Sequence, residues 1–249
     1  MRFKCNIRSA RECGGVQGRA GQWHCFSYCL ALLALLALLA LPVSALAQTR
    51  GIDVSKFQGK INWTKVAKDK TVKFVYIKAT EGTSIQDPYY KTNISKAKKA
   101  GLLVGSYHLY SSKTTAYQQM ANMRKMVKKS EQDLIPVLDI EGHHSGRLYM
   151  ERVDKLLELM EKEYGVKPMI YTSEKVYKLH FSGKKYRKYH IFIANYRRTP
   201  SVRYTLWQYT ETGHISVHET GAIEHGGKGT IPPECVFHTG IPVSYIGIG

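Results

Sequence analysis

Residues Leu134–Glu141 read LIPVLDIE, and no other stretch of the chain says more about its fold. Apolar residues follow one another here instead of alternating with polar ones. This pattern is typical of a strand buried on both faces, as in a parallel sheet. Two acids, Asp139 and Glu141, stand where the apolar run ends. The stretch therefore predicts a buried strand that presents two carboxylates at its carboxyl end.

Further runs of this kind recur on both sides of that stretch, separated by helical patterns. The predicted strands are Gly51–Ser55, Lys73–Ala79, Leu103–Tyr110, Ile135–Ile140, Pro168–Thr172, His190–Asn195 and Thr205–Tyr209. The clearest predicted helix is Leu148–Tyr164, where apolar residues recur at helical spacing from Val153 onward. Two more helices are predicted over Pro88–Ala100 and Thr114–Lys129.

Repeated alternation of strand and helix predicts an α/β fold with right-handed crossovers and a parallel sheet. The sheet could be open and doubly wound, or closed into a barrel. No glycine-rich phosphate loop follows the first strand, which carries Asp53 instead, and this disfavours a nucleotide-binding fold. The short link Tyr196–Tyr204 indicates that helices drop out late in the chain.

The first 47 residues have the composition of an export signal. Five basic residues precede the unbroken Leu/Ala run Leu30–Leu41, and Ala45-Leu46-Ala47 follows it. We expect cleavage after Ala47; the alternative is an uncleaved membrane anchor. Cleavage would remove four of the five cysteines and leave Cys235, so the exported domain would have no internal disulfide.

The net charge points to an anionic partner. The first 47 residues hold five of the 37 Lys and Arg residues and one of the 19 acids, so the remainder carries a formal charge of +14. An anionic cell wall suits an exported protein better than nucleic acid does. The lysine clusters at 96–99 and 125–129 also fit exposed helix faces.

Polar and aromatic residues follow the predicted strands at their carboxyl ends, where barrels of this type carry their chemistry. They are Asp53, Lys78, Glu81, Tyr107, His108, Asp139, Glu141, Tyr171, Asn195, Tyr196, Trp207 and Gln208. Acids together with aromatic platforms are typical of a carbohydrate cleft. Several of these residues could instead have a purely structural role. Asp53 could cap the turn after the first strand, and His108 and Trp207 could be core residues. Lys78 and Glu81 could form a structural ion pair.

The acid pair is the sharpest candidate for chemistry. On a strand, residues two apart face the same side at a separation of about 6.6 Å along the backbone. Two carboxylates held this close repel when both are ionised, so the pKa of one of them should rise. A general acid near neutral pH needs such a raised pKa. Glycoside hydrolysis commonly uses one protonated and one ionised carboxyl. A metal site formed by Glu141, His143 and His144 is disfavoured, since adjacent histidines are not a usual ligand spacing.

Six segments, in order, carry a family resemblance from about Gly51 to Thr210. They are GIDVSKFQGKINW (Gly51–Trp63), FVYIKATEG (Phe74–Gly82), AGLLVGSYHLY (Ala100–Tyr110), IPVLDIE (Ile135–Glu141), MIYTS (Met169–Ser173) and LWQYTETG (Leu206–Gly213). Together they resemble glycoside hydrolase family 25, the Chalaropsis-type lysozymes. The resemblance implies an irregular TIM-like (β/α)5(β)3 barrel that occupies residues 48–213.

The resemblance also implies an activity and roles for residues. The activity is hydrolysis of the β-1,4 bond from N-acetylmuramic acid to N-acetylglucosamine in peptidoglycan glycan strands, by an exported monomer without a cofactor. Glu141 matches the family's general acid. Asp139 matches its partner, which either steers the 2-acetamido group or stabilises positive charge at the anomeric carbon. Asp53 matches an aspartate of the cleft, and Tyr107, Tyr171 and Trp207 match cleft aromatics.

Residues 214–249 depart from the family pattern. Relatives close the barrel with a strand containing V-D-x-N, whereas this chain has no aspartate after Asp154. We therefore expect an atypical tail in which the last strand is divergent or missing. The segment Ile241–Ile246 is an alternative closing strand. The missing aspartate also leaves a second functional hypothesis open, a catalytically impaired protein that binds glycan with the same barrel.

Overall fold

The computed structural model describes residues 49–142, 146–213 and 234–239, the last range by its backbone alone. Its strands are β1 (Arg50–Val54), β2 (Val72–Glu81), β3 (Ile85–Gln86), β4 (Leu103–Leu109), β5 (Val137–Asp139), β6 (Met169–Ser173), β7 (Ile191–Ala194), β8 (Leu206–Gly213) and β9 (Glu234–Thr239). Its helices are α1 (Trp63–Val66), α2 (Tyr90–Lys99), α3 (Ala116–Met126), α4 (Arg147–Tyr164) and α5 (Glu174–Val176). Among the described residues, no helix is long and apolar enough to cross a membrane.

The strands form one curled, mainly parallel sheet. Parallel ladders join β1 to β2 and then run through β4, β5, β6 and β7 to β8. Strand β9 lies antiparallel between β8 and β1, so the ladders return to the strand where they began. The short β3 adds an antiparallel edge to β2. The predicted α/β class with a parallel sheet is confirmed.

The tail contributes a strand to this sheet. The backbone of Glu234–Thr239 pairs with β1 from Arg50 to Asp53 and with β8 from Leu206 to Gly213. The sequence left the last strand open as divergent or missing, and the described backbone places a strand at this position. A Cys-Val-Phe run after Pro232-Pro233 is the sequence signal for β9. The segment Ile241–Ile246, expected as another closing strand, lies outside the described residues.

Apolar side chains pack on both faces of the curled sheet. In β2, Val75, Ile77 and Ala79 belong to the core that the strands share with the helices. The alternate residues Phe74 and Tyr76 belong to a second, smaller cluster. Its buried members are Phe74, Tyr76, Leu134, Ile135, Val137, Met169, Phe192 and Leu206. Because burial is needed on both faces, the strand sequences are continuous apolar runs.

Local signals set the helix ends near their predicted positions. Thr115 caps α3 through a capping box with Gln118. Gly165 ends α4 in a left-handed conformation, with φ of 73°, which glycine adopts without steric cost. A different glycine, Gly105 in β4, is needed for space, since a Cβ there would overlap the Tyr76 ring. That ring forms part of the cleft floor described below.

Candidate active site

A cleft opens at the carboxyl ends of the parallel strands. It contains a cavity of about 290 Å³. Eight of the twelve residues expected at the strand ends line it, namely Asp53, Lys78, Tyr107, Asp139, Glu141, Tyr171, Tyr196 and Gln208. They come from seven different parts of the chain and meet because parallel strands present their carboxyl ends at one edge of the sheet.

The two acids of the LDIE segment hold different positions in the cleft. Asp139 is the last residue of β5 and is 8% exposed, whereas Glu141, two residues on, is exposed. Ile140 between them is fully buried in the helix-side core, so the alternation of the strand turns both acids toward the cavity. Backbone hydrogen bonds fix this geometry, from Tyr110 N to Asp139 O at 2.8 Å and from Ile140 N to Tyr171 O at 2.9 Å.

The surroundings of the pair favour protonated carboxyls. Burial raises the pKa of Asp139 well above its ordinary value, and the charges of Glu141 and Asp53 raise it further. Burial also raises the pKa of Glu141. The Asp139 Oδ1 atom is buried and has no hydrogen-bond partner among the described residues. Both shifts favour the protonated form of the carboxyls, which acid catalysis of bond cleavage requires.

Lys78 places a positive charge against these acids. Its ammonium group is 2.7 Å from Glu81 Oε2, and its side chain is 10% exposed. The charge of Lys78 lowers the pKa of both Asp139 and Glu141, whereas Glu81 raises both. The predicted Lys78–Glu81 ion pair is thus present, and it acts on the acid pair. Glu81 itself does not line the cavity.

Gln208 organises the opposite wall. Its side-chain Nε2 donates to Asp53 Oδ2 at 2.8 Å. Its Oε1 accepts from the Tyr171 hydroxyl at 2.7 Å and from the Tyr196 hydroxyl at 2.9 Å. One amide therefore fixes an acid and two aromatic rings around the cavity, so the binding surface is formed before a ligand arrives.

Asn195 and Trp207 support the wall from behind. The Trp207 indole donates to Asn195 O at 2.8 Å and packs against Tyr204 and Tyr209. The Asn195 side chain donates to Glu174 Oε2 at 2.8 Å. Trp207 lines neither this cavity nor its neighbour, described next. It follows Leu206 and precedes Gln208 on β8, so it cannot face the same side as Gln208.

A second cavity of about 590 Å³ adjoins the first. Glu141, Tyr171 and Tyr196 line both, and Asn195 lines the second. Glu141 therefore stands between two spaces that share an aromatic wall. This arrangement suits a chain-like ligand that passes over the acid and occupies both sides of it.

Several cleft residues were not predicted from the sequence. Tyr76, Val137 and Phe192 form the apolar floor, and Phe57 and Glu211 lie at the cavity wall. Tyr76 and Val137 each stand two residues before a predicted site residue, so strand alternation was the available signal. Phe57 is 78% exposed, which is unusual for a large apolar side chain.

One other candidate, His108, has no place in the cleft. His108 is fully buried, with Thr80 Oγ1 at 2.7 Å and Gln119 Oε1 at 3.1 Å, and burial lowers its pKa to about 4. His108 is therefore a neutral core histidine, which was the structural alternative predicted for it. The described residues contain no cluster of three potential metal ligands. His143 and His144, weighed as ligands with Glu141, lie outside the described residues.

A carboxyl pair in an aromatic cleft, at the carboxyl edge of a curled parallel sheet, defines a sugar-cleaving class of enzyme, the glycoside hydrolases. The sequence profile of glycosyl hydrolases family 25 matches residues 52–218. The chain belongs to this family, as its sequence motifs predicted.

Individual relatives support the same assignment. The chain is 34% identical over 175 residues to YegX of Escherichia coli K12, a match that covers 66% of this chain and 64% of that protein. It is 40% identical over 103 residues to Lysozyme M1 of Streptomyces globisporus, covering 40% of this chain and 35% of that one. A family 25 glycosyl hydrolase structure from Bacillus anthracis superposes with a TM-score of 0.68 at 28% identity, over 78% of this chain and 90% of that chain.

Proposed function

We propose that the protein is a lysozyme that hydrolyses the β-1,4 bond between N-acetylmuramic acid and N-acetylglucosamine in peptidoglycan. The observation that carries the proposal is the Asp139–Glu141 pair, raised in pKa and standing in an aromatic cleft with space on both sides of Glu141. Membership of family 25 and similarity to Lysozyme M1 support it.

Glu141 is the proposed proton donor. It is the acid that reaches both cavities, so a glycosidic oxygen above it would have one sugar on each side. As the bond from the anomeric carbon to that oxygen breaks, Glu141 protonates the departing oxygen and positive charge develops at the anomeric carbon. Water completes the hydrolysis, and Glu141 recovers its proton.

Asp139 is the proposed partner, and Asp53 and Gln208 position the sugar. Asp139 lies deeper in the cleft than Glu141, where it either steers the 2-acetamido group or stabilises the positive charge at the anomeric carbon. The Tyr107, Tyr171 and Tyr196 rings offer apolar faces to sugar rings, and Lys78 and Gln208 offer hydrogen-bond donors. Glu81 and Trp207, placed behind these residues, act on the substrate through them, whereas Asn195 lines the second cavity and would contact the sugar there.

The remaining features of the proposal concern the whole chain. Residues 1–47 would direct export and be removed after Ala47, so that residues 48–213 and strand β9 act outside the cell as a monomer. The strand and helix pattern supports the (β/α)5(β)3 form of the barrel. We propose no cofactor, no nucleic-acid partner and no stable membrane insertion after cleavage.

The products of digestion test the proposal. Purified protein from Gln48 onward is incubated with insoluble peptidoglycan between pH 4 and 8. The soluble fragments are reduced with borohydride, and their masses are measured by mass spectrometry. We expect fragments that end in reduced N-acetylmuramic acid. Fragments that end in reduced N-acetylglucosamine would assign the other bond, and folded protein that releases no new ends would refute the proposal.

A further inference from the structure

A second polar surface lies apart from the cleft, between α2 on one side and the end of α3 with the chain that follows it on the other. It encloses about 560 Å³. Five lysines and one acid, Glu131, are among its lining residues. We call this surface the lysine groove; its lysines are Lys91, Lys98, Lys99, Lys125 and Lys128. The fold thus joins two lysine clusters that lie more than twenty residues apart in the sequence.

Most of these charges are uncompensated. All five lysines are exposed. Lys98 pairs with Asp133 Oδ1 at 2.8 Å. The other four have no ion pair with any residue that the structure describes. Four ammonium groups therefore face one groove with the charge of Glu131 alone among the lining residues to oppose them.

Helix stability does not account for this arrangement. Positive charge is favourable in the last turn of a helix, which would explain Lys98 and Lys99. Lys91, however, is the second residue of α2, where the helix dipole disfavours a cation, and that first turn contains no acid. The helix dipole therefore does not explain the position of Lys91.

The shape of the groove suits an extended anionic ligand. Lys91 and Lys99 lie on one helix and are separated by about 12 Å along its axis. Lys125 and Lys128 form the other side. Ile94 and Met126, 5% and 8% exposed, contribute apolar surface between them. The lysine ammonium groups are spaced apart on flexible side chains, so they match a row of separate anions better than one compact anion.

We propose that the lysine groove binds the free carboxylates on the peptides of peptidoglycan, outside the catalytic cleft. This inference rests on the proposed function, because the peptides are attached to the glycan that the cleft would cut. Such peptides carry several carboxylates at intervals along the wall, together with small apolar side chains. The groove would hold the enzyme on the wall while the cleft engages a glycan strand.

Binding to insoluble wall tests the proposal. Every protein compared is the full exported chain with Glu141→Gln, so that none of them digests the wall. One variant adds Lys91→Gln, Lys99→Gln, Lys125→Gln and Lys128→Gln. The matched control adds four equal charge losses at exposed lysines outside the groove: Lys68→Gln, Lys73→Gln, Lys162→Gln and Lys184→Gln. Co-sedimentation gives the Kd of each protein on three wall preparations. The first is untreated wall, and the second is acid-treated wall, from which hydrofluoric acid has removed phosphodiester-linked polymers. The third is acid-treated wall whose carboxylates have been amidated.

We expect the groove variant to bind untreated and acid-treated wall about ten-fold more weakly than its parent, and the control about two-fold or less. Amidation should remove the difference between groove variant and parent. Equal losses in the two variants would overturn the proposal, because net charge alone would then explain binding. Loss of the difference on acid treatment, before amidation, would assign the groove to phosphodiester polymers and also overturn it.

A separate measurement distinguishes failure of the groove from failure of the proposed function. With Glu141 intact, the groove variant should hydrolyse soluble, short muropeptide oligomers at the parent rate. If the parent itself hydrolyses nothing, the lysozyme proposal fails while the binding comparison still stands. If hydrolysis of the short oligomers falls ten-fold in the groove variant alone, the lysines act on the cleft and the proposal of a separate wall contact is wrong.

Discussion

The Asp139 carboxyl carries an energetic cost that catalysis can use. It is buried, its Oδ1 atom has no hydrogen-bond partner among the described residues, and the negative charges of Glu141 and Asp53 oppose its ionisation. An unsatisfied buried polar group costs about 1–3 kcal/mol. A site that stores strain of this kind gains function at the expense of fold stability.

Asp139→Asn should therefore stabilise the fold at neutral and alkaline pH. Because the pKa of Asp139 is raised in the folded state, folding stability falls as pH rises above the unfolded value of 3.8. The amide does not ionise, so the Tm difference between variant and wild type should be near zero at pH 4 and should grow toward pH 8. A gain of about 1 kcal/mol corresponds to about 2–4 °C.

Asp87→Asn is the matched control for this prediction. Asp87 is equally buried, but its carboxylate accepts hydrogen bonds from Lys56 N at 2.7 Å and Tyr89 N at 2.9 Å. An amide can replace only one of these acceptor oxygens, so the control should lower Tm. Equal destabilisation by the two substitutions at pH 8 would show that Asp139 is satisfied in solution.

Lys78→Met should move the pH profile of hydrolysis upward. The Lys78 charge lowers the pKa of Asp139 and Glu141, so its removal raises both. The general acid then stays protonated to higher pH, and its partner ionises at higher pH. Both limbs of the kcat/KM profile should therefore move to higher pH. Lys113→Met, at an exposed lysine outside the cleft, is the control and should not change the pH profile. If Lys78→Met also left the pH profile unchanged, the Lys78 charge would have no effect on the two acids.

At the scale of single residues, the sequence predicted positions better than orientations. The acid pair could be found because an apolar strand ends on it. Trp207 and Gln208 were both expected in the cleft, but adjacent strand residues face opposite sides. Gln208 bonds to Asp53 and two tyrosines, whereas Trp207 packs behind the wall. Strand alternation applied residue by residue would have separated the two.

At the scale of elements, the buried strands and amphipathic helices were predictable, and the position of the closing strand between β8 and β1 was not. Parallel strands covered on both faces show as continuous apolar runs, and the caps of α3 and α4 show as Thr115 and Gly165. Strand β9 has six residues and pairs through its backbone with β1 and β8. Backbone pairing leaves little trace in side-chain patterns, so its place in the sheet could not be read from the sequence.

Removal of β9 should expose two strand edges. A chain ending at residue 213 lacks the partner of both β1 and β8, whereas one ending at residue 239 retains it. Unpaired edges invite association between chains. We expect the shorter chain to aggregate in size-exclusion chromatography and to unfold at least about 5 °C lower than the longer one. If both chains eluted as monomers and had the same Tm, the pairing of β9 with β1 and β8 would be contradicted.

At the scale of the whole molecule, the fold separates the two kinds of contact that an enzyme acting on a polymer needs. The cleft gathers acids and aromatic rings at the carboxyl edge of the sheet, and the lysine groove gathers cations between helices. Net charge alone predicted an anionic partner. It could not predict that separate clusters of lysines share one groove, because that depends on how α2 packs beside the end of α3.

The most direct test of the account is the turnover of Glu141→Gln on peptidoglycan. The amide cannot donate the proton that the leaving oxygen needs, so we predict a rate about 10²–10⁴-fold below wild type, with the fold intact. Glu211→Gln, an exposed acid of the same cavity wall, should lose less than about ten-fold. Turnover by Glu141→Gln at the wild-type rate would contradict the account, because the proton donor would then lie elsewhere.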